Sequence, residues 1–192
     1  MNPKVVRITE TAAMTALLIA LQAVTRSAGQ YVTGSCVNAV LALTALLAGL
    51  WSGVVVAVLS PFFAFLLGIG PQAAAITPVI ALGIGPQAAA ITHVIALGNV
   101  VFVVLMCLLT RRKGAPPEKQ IAAWLVPAVG KFAALYLVIV QILCRVLPLK
   151  QPQIDAFSAT FSYPQLVTAL VGGGLALVLA PVLRRALKQK PI

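Results

Sequence analysis

IALGNVVFVVLMCLLTRRKGAPPEKQIAAWLVPAVG, residues 95–130, holds two long apolar runs on either side of one short basic loop. The Pro116-Pro117 step in that loop stops a helix, and Arg111, Arg112, Lys113 and Lys119 crowd around it. About 20 apolar residues cross the hydrocarbon of a bilayer at 1.5 Å each, so the two runs read as membrane helices joined by a polar loop on one face. The whole chain has the same character: 61% of its residues are hydrophobic and 9% are charged. An ordinary soluble domain is about one quarter charged.

Working outward, the 192 residues accommodate about six crossings at roughly 30 residues per helix and loop. The expected spans are about 8–28, 37–50, 53–69, 88–109, 121–147 and 166–183. The fold class is therefore all-α, a single membrane domain built as a bundle of six transmembrane helices. SAGQYVTGS at 27–35 reads as the outer joint after the first span, and Trp51, Ser52 and Gly53 as a tight turn before the third. Pro61 should kink the third span and Gly172-Gly173-Gly174 should allow close approach in the sixth. LPLKQPQIDAFSATFSYPQ, 147–165, is the longest outer connection.

A net charge of +11 raises nucleic acid as a partner, but the basic residues sit at the ends of apolar runs, which makes them topology signals. Lys4, Arg7, the central loop and Arg184, Arg185, Lys188 and Lys190 fall on one side of a six-span chain, against Arg26, Arg145 and Lys150 on the other. The positive-inside rule then places both termini in the cytoplasm. Thr9, Glu10 and Thr11 near the start of the first run, with no short apolar core and cleavage site, read as part of a mature helix and not a signal peptide.

LGIGPQAAAITPVIA at 67–81 is followed at once by LGIGPQAAAITHVIA at 82–96, the copies differing only at Pro78 and His93. A repeat this undiverged reads as a recent duplication, an engineered one or an assembly error, not a solenoid. One copy as a helix would be about 22 Å long, short of the roughly 30 Å hydrocarbon, so it is expected to add no crossing. The extra copy is expected as an outer re-entrant or interfacial hairpin between the third and fourth helices, broken at Gly70-Pro71 and Gly85-Pro86.

Catalytic residues are not expected: one histidine and three acids, Glu10, Glu118 and Asp155, assemble no acid pair, and no nucleophile, zinc or phosphate-loop motif is present. His93 reads as a tolerated polar residue near the outer interface. Cys36, Cys107 and Cys144 lack metal spacing and read as small apolar packers, so neither metal nor cofactor is expected. Polar groups inside spans point instead to a water-filled cavity or a partner. Lys131 lies well inside the fifth span and Asn99 near the middle of the fourth, at similar depth, with snorkelling to the membrane edge as the alternative for Lys131. Arg26, Gln30, Tyr31, Asn38, Gln141, Arg145, Asp155, Tyr163 and Gln165 gather toward the outer ends of the spans. With Lys131 and Asn99 they are expected to line an outward pocket suited to a small planar or anionic solute. In TAAMTALLIAL, 11–21, Ala12, Ala16 and Ala20 share one helix face and leave a shallow groove for another helix.

On these residues the chain resembles the substrate-binding S components of energy-coupling factor (ECF) vitamin transporters. The resemblance covers nearly the whole chain. Its carriers are the six-span plan, the Ala12, Ala16 and Ala20 face, GSCVNAVLALTALLAGLWSG at 34–53, SPFFAFLLGIGP at 60–71, IALGN at 95–99 and FSYPQLVTALVGG at 161–173. It implies a multipass protein of a prokaryotic plasma membrane that captures a micronutrient from outside and hydrolyses nothing itself. It further implies that Ala12, Ala16 and Ala20 dock on an ECF transmembrane coupling subunit, which is driven by two ATPase subunits. The duplication departs from the family, falling where members have a short outer connection beside the substrate pocket. A structural or assembly membrane protein without a solute ligand is the alternative, and a membrane enzyme a more distant one.

Overall fold

The computed structural model describes residues 3–70, 86–110 and 117–186, all of the described secondary structure being helical. We number the helices α1 (Pro3–Thr25), α2 (Gln30–Leu47), α3 (Leu50–Leu66), α4 (Pro86–Thr110), α5 (Pro117–Leu135), α6 (Gln151–Thr160) and α7 (Tyr163–Ala186). Beyond Leu135, α5 continues through a π-wound stretch, Tyr136–Leu143, and a last α turn, Cys144–Val146. Five stretches are long and apolar enough to cross a membrane, and α3, at 17 residues, is a shorter apolar helix. Much of the outer surface is apolar as well: Ile8, Val24, Leu66 and Val178 are each more than two-thirds exposed. In water such a surface would drive aggregation, whereas lipid solvates it.

Side-chain pairs along the helices give their directions. Gly53 lies against Val103, Asn99 reaches the carbonyl of Ala57, and the rings of Phe62 and His93 meet edge to face at 5.5 Å. As numbers rise on α3 they fall on α4, so the two are antiparallel neighbours along most of their lengths. Gly98 meets Leu135 and Gly130 meets Leu105, which makes α4 and α5 antiparallel too. Thr11 bonds Ser52 and Gln22 bonds Ser60, so α1 and α3 run parallel. Gly34 meets Thr168 and Arg184 bonds the carbonyl of Leu46, so α2 and α7 are parallel. The long helices thus alternate in direction, and residues 70 and 86, the ends of the described chain on either side of the duplication, belong to the same end of the bundle.

Two boundaries differ from the expectation. The turn before the third span is not Trp51-Ser52-Gly53, which lie in α3; it is Ala48-Gly49, because Gly49 takes φ 89, a left-handed conformation open to glycine at little cost. Similarly Gly29, at φ 84, ends the turn after α1 and lets α2 start about two turns ahead of Val37. The polar residues from Gln30 to Ser35 are helical because that part of α2 faces a cavity and α7 as well as the membrane. The outer connection after α5 contains a helix of its own, α6, begun by reciprocal bonding between Lys150 and Gln153. The expected hairpin of the duplicated segment falls on 71–85, outside the described residues.

Two apolar clusters fill the bundle. One holds Leu18, Leu41, Val56, Phe102, Met106, Ala128 and Ala169, the other Ile91, Leu135, Ile139, Phe157 and Phe161. On α4 Asn99 falls between Ile91 and Phe102, and on α5 Lys131 falls between Ala128 and Leu135. Buried Asn99 and Lys131 therefore mark the seam between the clusters.

Residues 67–70 and 86–96 together spell one complete copy of the repeat, LGIG followed by PQAAAITHVIA. Phe62 touches His93, and Pro86 lies two turns, about 10 Å, beyond His93 on α4. Gly70 lies eight residues beyond Phe62, the last four of them past the end of α3. Excision of 71–85 is therefore expected to leave a monodisperse helical bundle, with Tm within a few degrees of the parent by scanning fluorimetry in detergent; loss of folded protein would show that the second copy is structural.

Candidate functional site

A cavity of about 80 Å3 opens at this seam, toward the end of the bundle that carries the α1–α2 turn and α6. It draws residues from every helix: Gln22 from α1, Gln30, Thr33 and Asn38 from α2, Ser60 and Pro61 from α3, Ile95 and Asn99 from α4, Lys131 from α5, Thr160 from α6 and Gln165 from α7.

Lys131 is the centre of its polar network. Its side chain is 3% exposed, so it does not snorkel to the edge. Its Nζ donates to Asn38 Oδ1 at 2.6 Å and lies 5.8 Å from the centroid of the Phe102 ring. Asn38 Nδ2 donates in turn to Thr168 Oγ1 at 3.3 Å, and Thr168 Oγ1 to the carbonyl of Gln165 at 3.2 Å. One chain of hydrogen bonds thus ties α5 to α2 and α2 to α7. A buried ammonium normally demands a carboxylate; among the described residues the cavity lining contains none, nor any imidazole or thiol.

The opposite wall is organised by Pro61. Proline has no N–H, so the carbonyl of Ala57, four residues earlier, loses its partner within α3. Asn99 Nδ2 supplies one at 3.4 Å. One turn further on, Gln22 Nε2 donates to the carbonyl of Ser60 at 3.2 Å. Each amide donates an N–H to a main-chain oxygen that only accepts, Gln22 Nε2 also reaching Ser60 Oγ at 3.5 Å, and the oxygen of each is left over. Gln22 Oε1 and Asn99 Oδ1 are buried with no hydrogen-bond partner. An unpaired buried acceptor costs roughly 1–3 kcal/mol, so two of them beside one cavity are groups waiting for donors.

Of the residues expected from the sequence, Gln30, Asn38, Asn99, Lys131 and Gln165 line this cavity. Arg26 is exposed in the turn after α1, and Tyr31 is half-exposed at the start of α2. Gln141 and Arg145 form their own ladder on the π-wound end of α5, Arg145 donating to Gln141 Oε1 at 2.6 Å and Gln141 to Tyr136 Oη at 2.9 Å. Asp155 pairs with Gln151, and Tyr163 is exposed. Gln22 and Ser60 were not anticipated. The signal for Gln22 is the one that singles out Asn99 and Lys131, a polar side chain inside an apolar run, here LLIALQAVT at 17–25.

No family model, curated protein or solved structure matches the chain.

A second surface lies on the outside of the bundle. An open groove between α1 and α3 is floored by Ala12, Ala16 and Thr15, with Ile8, Ile19, Val55, Leu59 and a largely exposed Trp51 along it and Arg7 at one end. Ala20 is exposed one turn beyond its end. Alanines here leave the α1 backbone open to close approach by another helix.

Proposed function

We propose that this chain is the solute-capturing S component of an ECF-type importer, crossing a prokaryotic plasma membrane six times with both termini in the cytoplasm. The observation that carries the reading is the closed polar seam inside an apolar bundle, with Lys131 fully buried and two amide oxygens left unpaired at a cavity. A protein that only packs against neighbours gains nothing from such groups, which are costly in hydrocarbon and usually mark a transport or binding pathway. The alternating helix directions agree with six crossings, and with the termini inside, the cavity opens at the outer face, where a solute arrives. The resemblance in the sequence supplies the rest of the reading: a coupling subunit that docks on Ala12, Ala16 and Ala20, and two ATPase subunits behind it.

Two measurements test it. A ligand bound only by the folded state stabilises it by RT ln(1 + [L]/Kd), so one member of a vitamin panel is expected to raise Tm sharply, by about 4 kcal/mol of stability at 1,000 times its Kd. Ala16→Trp fills the α1–α3 groove from its floor; it is expected to abolish co-purification with the coupling subunit while the vitamin-induced shift persists. Normal assembly in that variant sinks the docking surface. A protein that assembles but responds to no solute is instead a structural membrane subunit.

A further inference from the structure

Granting solute capture, we propose that the cavity takes a compact monocarboxylate that also carries amide N–H or hydroxyl donors, its acid on Lys131 and its donors on Gln22 and Asn99. The inference rests on three complementary vacancies around one cavity. Lys131 Nζ has three N–H donors and one side-chain partner, Asn38 Oδ1. Among the described residues the lining holds no acid to balance its charge, so a bound anion is the counter-ion. Across the cavity, Gln22 Oε1 and Asn99 Oδ1 are acceptors on residues only 1% and 2% exposed, and each amide already donates one N–H to a main-chain carbonyl, that of Ser60 or of Ala57. Neither oxygen has a hydrogen-bond partner in the protein, so a solute that brings donors of its own satisfies them.

The same inventory excludes the other charge classes. A cation would face Lys131 with no carboxylate to hold it. A phosphate ester brings close to two negative charges against one ammonium; Arg26 and Arg145, the cations that would supply the second, do not line the cavity. Size narrows the class further, because about 80 Å3 is well below the roughly 300 Å3 at which ordinary ligand pockets begin. The apolar lining, Val37, Ile95 and Phe161 among it, accepts the carbon skeleton between the two polar ends.

The test uses the full chain, purified in mild detergent without added solute. Small molecules released on denaturation are identified by mass spectrometry, in parallel for the parent, Lys131→Met and Gln22→Leu. The parent is expected to release an acid bearing N–H or O–H groups. Lys131→Met is expected to retain less than a hundredth as much, and Gln22→Leu less than a tenth, with each variant's Tm showing that it is folded. In a second arm, stripped protein is heated with 5-oxoproline, with its uncharged amide, with cyclopentanecarboxylate, with choline and with inorganic phosphate. The first carries both charge and donor and is expected to raise Tm most. A released cation, phosphate ester or neutral compound, a larger shift from any other probe, or undiminished retention by folded Lys131→Met overturns the carboxylate assignment and leaves solute capture standing. No released compound together with no shift from any probe or vitamin overturns solute capture itself.

Discussion

Gly172→Leu is expected to abolish the folded bundle. A Cβ at this position would lie 2.6 Å from the backbone nitrogen of Ala39, the carbonyl oxygen of Ser35 and the Cβ of Asn38. None of these is the free end of a flexible side chain, so α2 and α7 would have to move apart as rigid helices. Overpacking by a few methylenes costs typically 1–3 kcal/mol when side chains can adjust. Here they cannot, and the separation would also stretch the Asn38–Thr168 bond and the cap that Arg184 places on the Leu46 carbonyl. Against a total stability of roughly 5–15 kcal/mol, Leu is expected to eliminate the monodisperse peak in size-exclusion chromatography, and Ala to lower Tm markedly. Gly173→Ala is the control. Its Cβ would meet Met106 and Phe102 at 3.5 and 3.6 Å, ordinary contact, and Ala is the better helix former by about 1 kcal/mol, so Tm should hold or rise. Equal losses at both positions would show that helix propensity, not the α2–α7 crossing, is responsible.

The second large effect is non-additive. Asn38→Leu strands the Lys131 ammonium in the bundle with only the Phe102 ring nearby. Leaving a buried charged donor unsatisfied costs more than the roughly 1–3 kcal/mol of a neutral group. Lys131→Met alone leaves Asn38 Oδ1 unpaired, at about 1–3 kcal/mol. The double variant removes both and replaces them with apolar groups of similar size, which is close to neutral. Tm is therefore expected to fall most in Asn38→Leu, less in Lys131→Met, and to return toward the parent in the double variant. Additive losses would mean that the 2.6 Å contact contributes nothing to stability. The recovered double variant would also separate fold from function: a sound bundle with an apolar seam where its cation was.

Apolar runs, a basic loop and the paired copies at 67–96 were legible from the sequence because they are local properties: about 20 residues set the length of a crossing, and charge clusters set its ends. The same rule, that polarity inside an apolar run is costly, singles out Asn99 and Lys131 without any knowledge of neighbours. Boundaries were less legible where polar residues are helical. Gln30 and Thr33 look like a loop in isolation; in α2 they border the cavity, which no composition argument reveals. Conversely Arg26 and Arg145 look like pocket cations because they lie at the right depth, yet depth does not say which way a side chain faces around a helix axis.

Only the tertiary structure decided which polar groups meet and what each lacks. Lys131 and Asn38 are 93 positions apart and touch because α2 and α5 pass side by side at the seam. Gln22 and Asn99 are unpaired acceptors whose N–H ends are turned to the carbonyls of Ser60 and of Ala57, the latter freed by Pro61. By itself the sequence determined a helical chain for a bilayer, since hydrophobic burial and backbone satisfaction in lipid leave few other solutions. The contents of the polar seam depend on long-range packing, where hydrogen bonds are made or missed at a scale of tenths of an ångström.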